Sequence, residues 1–173
     1  RTPLRVSIAG GGTDMEYFYS RYSGKVISFS INKYIYIIVK SRIDEKIVLN
    51  YKEREIVDSV EEIKHGLIRE SLKKVGIDNG VEITSIADIP SSGSGLGSSS
   101  AFTVGLLNAL YAYTGIQKNQ EQLASEACEI EIDILNAPIG KQDQYATSIG
   151  GLKTITFKKD NTVLIKPIND NNN

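Results

Sequence analysis

Val81-Glu82-Ile83-Thr84-Ser85-Ile86-Ala87-Asp88-Ile89-Pro90-Ser91-Ser92-Gly93-Ser94-Gly95-Leu96-Gly97-Ser98-Ser99-Ser100-Ala101 runs from an apolar strand into a loop of glycines and serines. The apolar helix Phe102 to Tyr113 follows at once. Alternating β-branched residues mark the strand. Gly93, Gly95 and Gly97 let the backbone turn sharply and approach a ligand closely. Serines at a helix start supply hydroxyls and caps, and the first turn presents free N–H groups and partial positive charge. A strand, a loop and a helix start in this order make a phosphate cradle. The loop is not a Walker A loop, because no lysine follows Gly97 and the next one is Lys118. It is also a poor dinucleotide fingerprint, because the next acidic residue is Glu121. A flexible linker is the other reading, but both flanks are strongly patterned elements.

Around this loop the chain of 173 residues is long enough for one domain with a real core. Its composition, 40% hydrophobic and 24% charged, is that of an ordinary globular protein. A net charge of −1 offers no electrostatic footprint for nucleic acid or an anionic membrane, so neither is expected as a partner. No apolar run is long enough for a transmembrane helix. The single cysteine, Cys128, has no internal partner and reads as a small core residue, consistent with a reducing cytoplasmic location.

Upstream, Leu4 to Ile8 reads as a strand that enters Gly10-Gly11-Gly12, and Asp14 to Tyr22 as a short helix. Lys25 to Ser30, Ile31 to Lys40 and Lys46 to Tyr51 read as three strands. Val60, Ile63, Leu67, Ile68, Leu72 and Val75 form a stripe that predicts one helix from Val60 to Val75, ended by Gly76, with His65 on its surface. Downstream, Ser98 to Tyr113 and Gln120 to Leu135 read as helices. A short one, Lys141 to Ile149, follows the Pro138 and Gly140 break. A hairpin turns around Asp160-Asn161 between Leu152 to Phe157 and Val163 to Lys166. Strands first and helices later make the fold class α+β. Residues 1–168 read as one domain and 169–173 as a polar tail or linker.

Two further constellations carry polar chemistry. Arg5 lies on the first strand, and the triple glycine then delivers Thr13 and Asp14. Asp14 reads equally as a helix N-cap and as a ligand for adjacent sugar hydroxyls. Asp143 follows the Pro/Gly break, where it is either a solvated cap or a side chain aimed into a cleft. Glu126, Glu129, Glu131 and Asp133 crowd the preceding helix. Most read as a solvated face, although Mg²⁺ needs only one or two carboxylates besides phosphates and water.

Arg1-x-Pro3-x-Arg5-Val6 through Gly10 to Asp14, then Pro90 to Ala101, then Gly140-Lys141-Gln142-Asp143-Gln144, resemble in sequence the three N-terminal signatures of the GHMP small-molecule kinases. Within that family, Ala9-Gly10-Gly11-Gly12-Thr13-Asp14 and Gly140 to Ala146 look most like the heptose kinases, which phosphorylate the anomeric hydroxyl of a heptose 7-phosphate. Galactokinases carry Glu-His where this chain has Gly11-Gly12. Fucose and mevalonate kinases are alternatives, as is a sugar- and ATP-binding module without catalysis. The resemblance implies a mixed sheet packed against helices, with a ribosomal-protein-like left-handed βαβ unit. It also implies that the family's C-terminal ferredoxin-like domain is absent from this chain, so that the chain is either a GHMP-type kinase in its own right or an inactive fragment of a longer one.

The resemblance further implies ATP and Mg²⁺ as cofactors and a small sugar or sugar phosphate as the other ligand. It assigns Pro90, Gly93, Ser94, Gly95, Leu96, Gly97, Ser98, Ser99 and Ser100 to the nucleotide. Ser99 and Glu131 fall to the metal, with Glu129 as the alternative to Glu131. Asp143 matches the catalytic aspartate and Arg5 the basic residue beside it. Gly11, Gly12, Thr13 and Asp14 match the sugar site. Lys141 is a candidate for a sugar phosphate or else a solvated lysine.

Overall fold

One strand of unusual length organises the molecule. The computed structural model describes residues 1–89 and 94–168. After β1 (Thr2–Ala9) and α1 (Glu16–Tyr22), β2 runs without interruption over Gly24–Ser41. The predicted strands Lys25 to Ser30 and Ile31 to Lys40 are therefore one. The apparent break is an irregularity in pairing, because Pro3 of β1 opposes Tyr34 whereas Arg5 opposes Ser30. The extra residues on β2 form a bulge, which shifts its inward face from Val26 and Ser28 to Ile35 and Ile37.

The remaining elements are β3 (Ile47–Asn50), β4 (Arg54–Val57), α2 (Gly66–Val75), β5 (Val81–Ala87), α3 (Ser98–Tyr113), α4 (Gln120–Cys128), α5 (Gln142–Ile149), β6 (Leu152–Phe157) and β7 (Val163–Pro167). The sheet path is β4-β3-β5-β2-β6-β7, with β1 paired to β2 outside it. All pairings are antiparallel except β3 with β5, which are parallel and joined through β4 and α2. This is an α+β fold with a mixed sheet covered by helices.

α3 is the central helix. Ala101, Leu106, Leu107 and Leu110 are all fully buried, as expected of a helix that is apolar around its circumference. Leu106 and Leu110 join Ile47, Leu49, Ile68, Leu72, Val81 and Ile83 in one core cluster. Tyr19, Val26, Ala124, Tyr145, Ala146, Ile155 and Phe157 form another under α4 and α5, with Cys128 buried among them. Among the described residues no helix is long and apolar enough to cross a membrane.

Two helices depart from expectation. The stripe from Val60 to Val75 is a single 3-10 turn, Val60–Glu62, an extended stretch, and then α2. The Glu55 carboxylate accepts the N–H groups of Lys64 (2.8 Å) and His65 (3.3 Å), so these donors are satisfied before the helix begins. Val60 and Ile63 are buried as the stripe implies, without belonging to a continuous helix. The second departure is the end of the Gln120 to Leu135 helix. Beyond Cys128 it widens into a π-helical turn, Glu129–Ile134, in which Leu135 N–H donates to the Ile130 carbonyl. Such turns are uncommon and recur at functional positions.

Candidate functional site

The site begins at the start of α3. Gly97 is its N-cap, at φ 72° in the left-handed region, and no side chain caps the helix. The first-turn N–H groups of such a helix have no intrahelical acceptor. Ser94 and Ser98 hydroxyls lie 3.0 Å apart, Ser98 and Ser100 are buried, and Ser99 is exposed. The loop is anchored from below by β1: Arg5 N–H donates to the Leu96 carbonyl (3.0 Å), and Arg5 Nη1 donates to the Gly95 carbonyl (2.6 Å).

Arg5 also crosses to α5. Its Nε and Nη2 donate to Asp143 Oδ1 (2.7 Å) and Oδ2 (2.6 Å), a bidentate pair. Burial raises the Asp143 carboxyl above the usual carboxylate range, and the Arg5 guanidinium opposes that rise. A β-carbon at Gly97 would lie 3.2 Å from Arg5 Cγ and 3.4 Å from Asp143 Oδ2, so this glycine leaves the loop room to pass over the ion pair.

The π-helical turn brings Glu131 to the same place. Its Oε2 accepts the Ser100 hydroxyl (2.8 Å) and Gln144 Nε2–H (2.9 Å). Its Oε1 is buried and has no partner. Burial raises this carboxyl too, with the neighbouring donors opposing. A buried carboxylate oxygen without a donor, on a pocket wall beside hydroxyls and a helix start, fits a hard divalent cation, which takes oxygen ligands. Glu129, the alternative, is instead drawn to Lys74 (2.5 Å).

Arg5, Ser94, Gly95, Gly97, Ser98, Ser99, Ser100, Glu131 and Asp143 line one cavity of about 450 Å³ together with Leu67, Leu135, Ala137 and Ile139. Residues 5, 94, 95, 97–100, 131 and 143, far apart in the chain, thus share one pocket. The assignments at Pro90 and Gly93 lie outside the described residues. Leu96 lines an adjoining hollow with Arg5, Ser7, Gly10, Gly11 and Gln142.

The remaining candidates lie around this hollow and beyond it. Gly11 and Gly12 are exposed. The Thr13 hydroxyl donates to the Gly10 carbonyl (2.7 Å) and accepts Lys25 N–H (3.0 Å), which locks the turn. Asp14 is buried and is not the N-cap of α1, a position held by Met15. Asp14 Oδ1 accepts Gly12 N–H and Oδ2 accepts Gln142 N–H, each at 3.1 Å, tying the glycine turn to the start of α5. Lys141 points elsewhere: its Nζ donates to Asn161 (2.5 Å) and sits 5.2 Å from the centre of the Tyr19 ring.

A second hollow, of about 280 Å³, shares Leu67, Ser98 and Ser99 with the main cavity and adds Tyr51, Lys52, His65, Ser85 and Phe102. His65 is thus not a surface residue in the middle of a helix. It stands just before α2 with its ring centre 4.8 Å from that of Tyr51 and 5.3 Å from that of Phe102. Burial lowers its pKa, and Nδ1 has no partner. No sequence signal marked this wall, and Gln144 carried none beyond its place beside Asp143.

Residues 59–151 match the family model described as GHMP kinases N terminal domain. The chain is 31% identical over 183 residues to the D-glycero-alpha-D-manno-heptose 7-phosphate kinase of Campylobacter jejuni, a match that covers 97% of this chain and 53% of that protein. It is 28% identical over 192 residues to the L-fucokinase/L-fucose-1-P guanylyltransferase of Bacteroides fragilis, covering 90% and 20%. The crystal structure of a D-glycero-D-manno-heptose 1-phosphate kinase from Bacteroides thetaiotaomicron superposes with a TM-score of 0.90 at 28% identity, over 97% of this chain and 58% of that one. The chain spans about half the length of the heptose kinases it matches.

Proposed function

The chain belongs to the GHMP kinases as their N-terminal domain, and from that premise we propose that it binds ATP and a sugar for an ATP-dependent kinase acting on the anomeric hydroxyl of D-glycero-D-manno-heptose 7-phosphate. Residues 1–168 form the binding domain in this reading and 169–173 a tail or linker. The observation that carries it is the bidentate Arg5–Asp143 pair on the wall of the cavity at the start of α3.

ATP phosphates lie along Ser94 to Ser100, held by first-turn N–H groups and the positive end of α3. The aromatic-walled hollow beside Ser98 and Ser99 takes the nucleoside. Glu131 Oε1 and the exposed Ser99 hydroxyl are the residues to hold Mg²⁺, which when bound neutralises charge on the transferring phosphoryl group. Asp143 receives the proton of the sugar hydroxyl as its oxygen bonds to the γ-phosphorus, the bond from that phosphorus to the bridging oxygen breaks, and ADP leaves. Arg5 keeps Asp143 ionised against its burial and adds positive charge beside the phosphoryl group. The sugar lies on the Gly11-Gly12 side, where Asp14 and Thr13 shape the turn; Lys141 reaches its phosphate only by leaving Asn161 and the Tyr19 ring.

The test is ³¹P NMR of the protein as its gene encodes it, incubated with Mg–ATP and the heptose 7-phosphate. An anomeric phosphate resonance appearing as ADP forms is the expected result. Turnover of fucose or mevalonate in place of the heptose would refute the substrate and keep the kinase. ATP binding without turnover of any of them would leave a binding module.

A further inference from the structure

Gln144 is fully buried in the helix that carries Asp143, yet it is a polar side chain with one end unmatched. Its Nε2–H donates to Glu131 Oε2 (2.9 Å), and its own Oε1 has no partner. An apolar side chain of the same volume would fill this space without the cost of burying an unpaired amide oxygen. The retained amide therefore points to what it does for Glu131.

We propose that Gln144 is a positioning residue for the metal: with Ser100 it pins one oxygen of Glu131, so that the other is the oxygen offered to the divalent cation accompanying the nucleotide. The inference rests on reading Glu131 as a metal ligand. Two donors converge on Oε2, Ser100 from α3 and Gln144 from α5. The Thr103 hydroxyl also stands near the carboxylate but donates to the Ser99 carbonyl (3.2 Å), so Oε1 has no hydrogen-bond partner and is the oxygen with spare capacity. The amide direction is set by the same carboxylate, because the reversed amide would place oxygen against oxygen. A glutamate left unpinned would spread over several rotamers and lose affinity in ordering itself. Partners that orient a ligating carboxylate matter nearly as much as the ligand itself. One helix start then serves both halves of the site: Asp143 is held on Arg5 and the next residue holds Glu131.

Mn²⁺ is the probe, its binding followed by electron paramagnetic resonance in the presence of the non-hydrolysable ATP analogue AMP-PNP, on the protein as its gene encodes it. Gln144→Met keeps the volume and removes the donor. It is expected to weaken Mn²⁺ binding about 10- to 100-fold, the usual loss for an orienting partner. Metal-free AMP-PNP affinity should not change. In a Glu131→Ala background the same substitution should add nothing, because Gln144 acts only through Glu131. An equal loss in both backgrounds, or no loss in either, overturns the proposal. Should Glu131→Ala itself leave Mn²⁺ affinity intact, the metal reading of Glu131 fails first and is identified as the failure. If Gln144→Met does not fold, Gln144→Asn, which draws the amide back by one carbon, is measured with the same expectations.

Discussion

Arg5 and Asp143 are 138 positions apart, and each is explained by the other. The carboxyl is raised by burial, and the guanidinium is the group on hand to counter it. Arg5→Met leaves the burial unopposed. The Asp143 pKa then climbs further, and the ionised form is lost at pH values where the parent still holds it. The acidic limb of the kcat–pH profile should therefore move to higher pH, and activity should return as pH rises. Asp143→Asn should behave differently, with kcat down by about 10²–10⁴-fold at every pH, because the amide cannot take the proton. Its effect on substrate KM should be smaller, since the lost interaction belongs to the transition state. Steady-state profiles of parent and both variants are the measurement. A limb that stays in place in Arg5→Met would mean that Arg5 does not set the state of Asp143, and near-parental kcat in Asp143→Asn would remove it from the chemistry.

Among the elements, α5 is the one whose placement matters most, and it is set by a close approach. A β-carbon at Gly140 would overlap Asp14 Oδ2 and crowd the Asp14 backbone, although Asp14 accepts Gln142 N–H at the start of α5. Gly140→Ala should push the helix start off this bracket and cost about 1–3 kcal/mol. For a domain of this size that is a fall in Tm of about 2–4 °C per kcal/mol. Gly11→Ala is the comparison, because nothing lies within 4 Å of a β-carbon there. Calorimetry giving equal falls for the two would remove the Asp14–Gly140 contact from the account. Elements punctuated locally are legible in the sequence: α3 between Gly97 and Gly115, and the β6–β7 hairpin around Asp160-Asn161, match their predicted spans closely. What is not legible depends on partners distant in the chain. The single strand β2 looks broken because its bulge against β1 cannot be seen in one strand alone. The Val60 to Val75 stripe cannot show that Glu55 takes its backbone donors. A six-residue π-helical turn is too short to betray its period. The candidate site residues are suggested by motif likeness rather than by geometry. His65 escaped even that, because Tyr51 and Phe102 reach it from other elements.

Across the whole molecule, helices and sheet meet over a charged residue that no carboxylate pairs among the described residues. Lys153 of β6 is almost completely buried opposite Ser28 of β2, and its Nζ donates to the Ala146 carbonyl of α5 (3.0 Å). Burial pushes its pKa down from 10.5 to about 8. The unfolded chain therefore binds more protons than the fold between about pH 8 and 10.5, and stability rises with pH across that window. Below it the protonated amine costs the fold a constant amount, on the order of 3 kcal/mol. The raised carboxyls of Glu131 and Asp143 have the opposite slope, and their window begins at the acidic end of the scale, so the two do not overlap in origin. Lys153→Met removes the alkaline slope. At neutral pH the relief of burial is partly offset by the lost ammonium hydrogen bond, worth about 1.5–3 kcal/mol, while the Ala146 carbonyl keeps the Gly150 N–H (3.2 Å). The pH dependence is the decisive quantity. Urea unfolding of parent and variant at roughly pH 7 and pH 10 should show the parent gaining stability relative to the variant, by up to about 3 kcal/mol. Other lysines and tyrosines titrate in both proteins and cancel in that difference. A difference that stays constant with pH would mean that Lys153 is hydrated in the fold, and the junction of α5 with the sheet would then be wetter than its packing indicates.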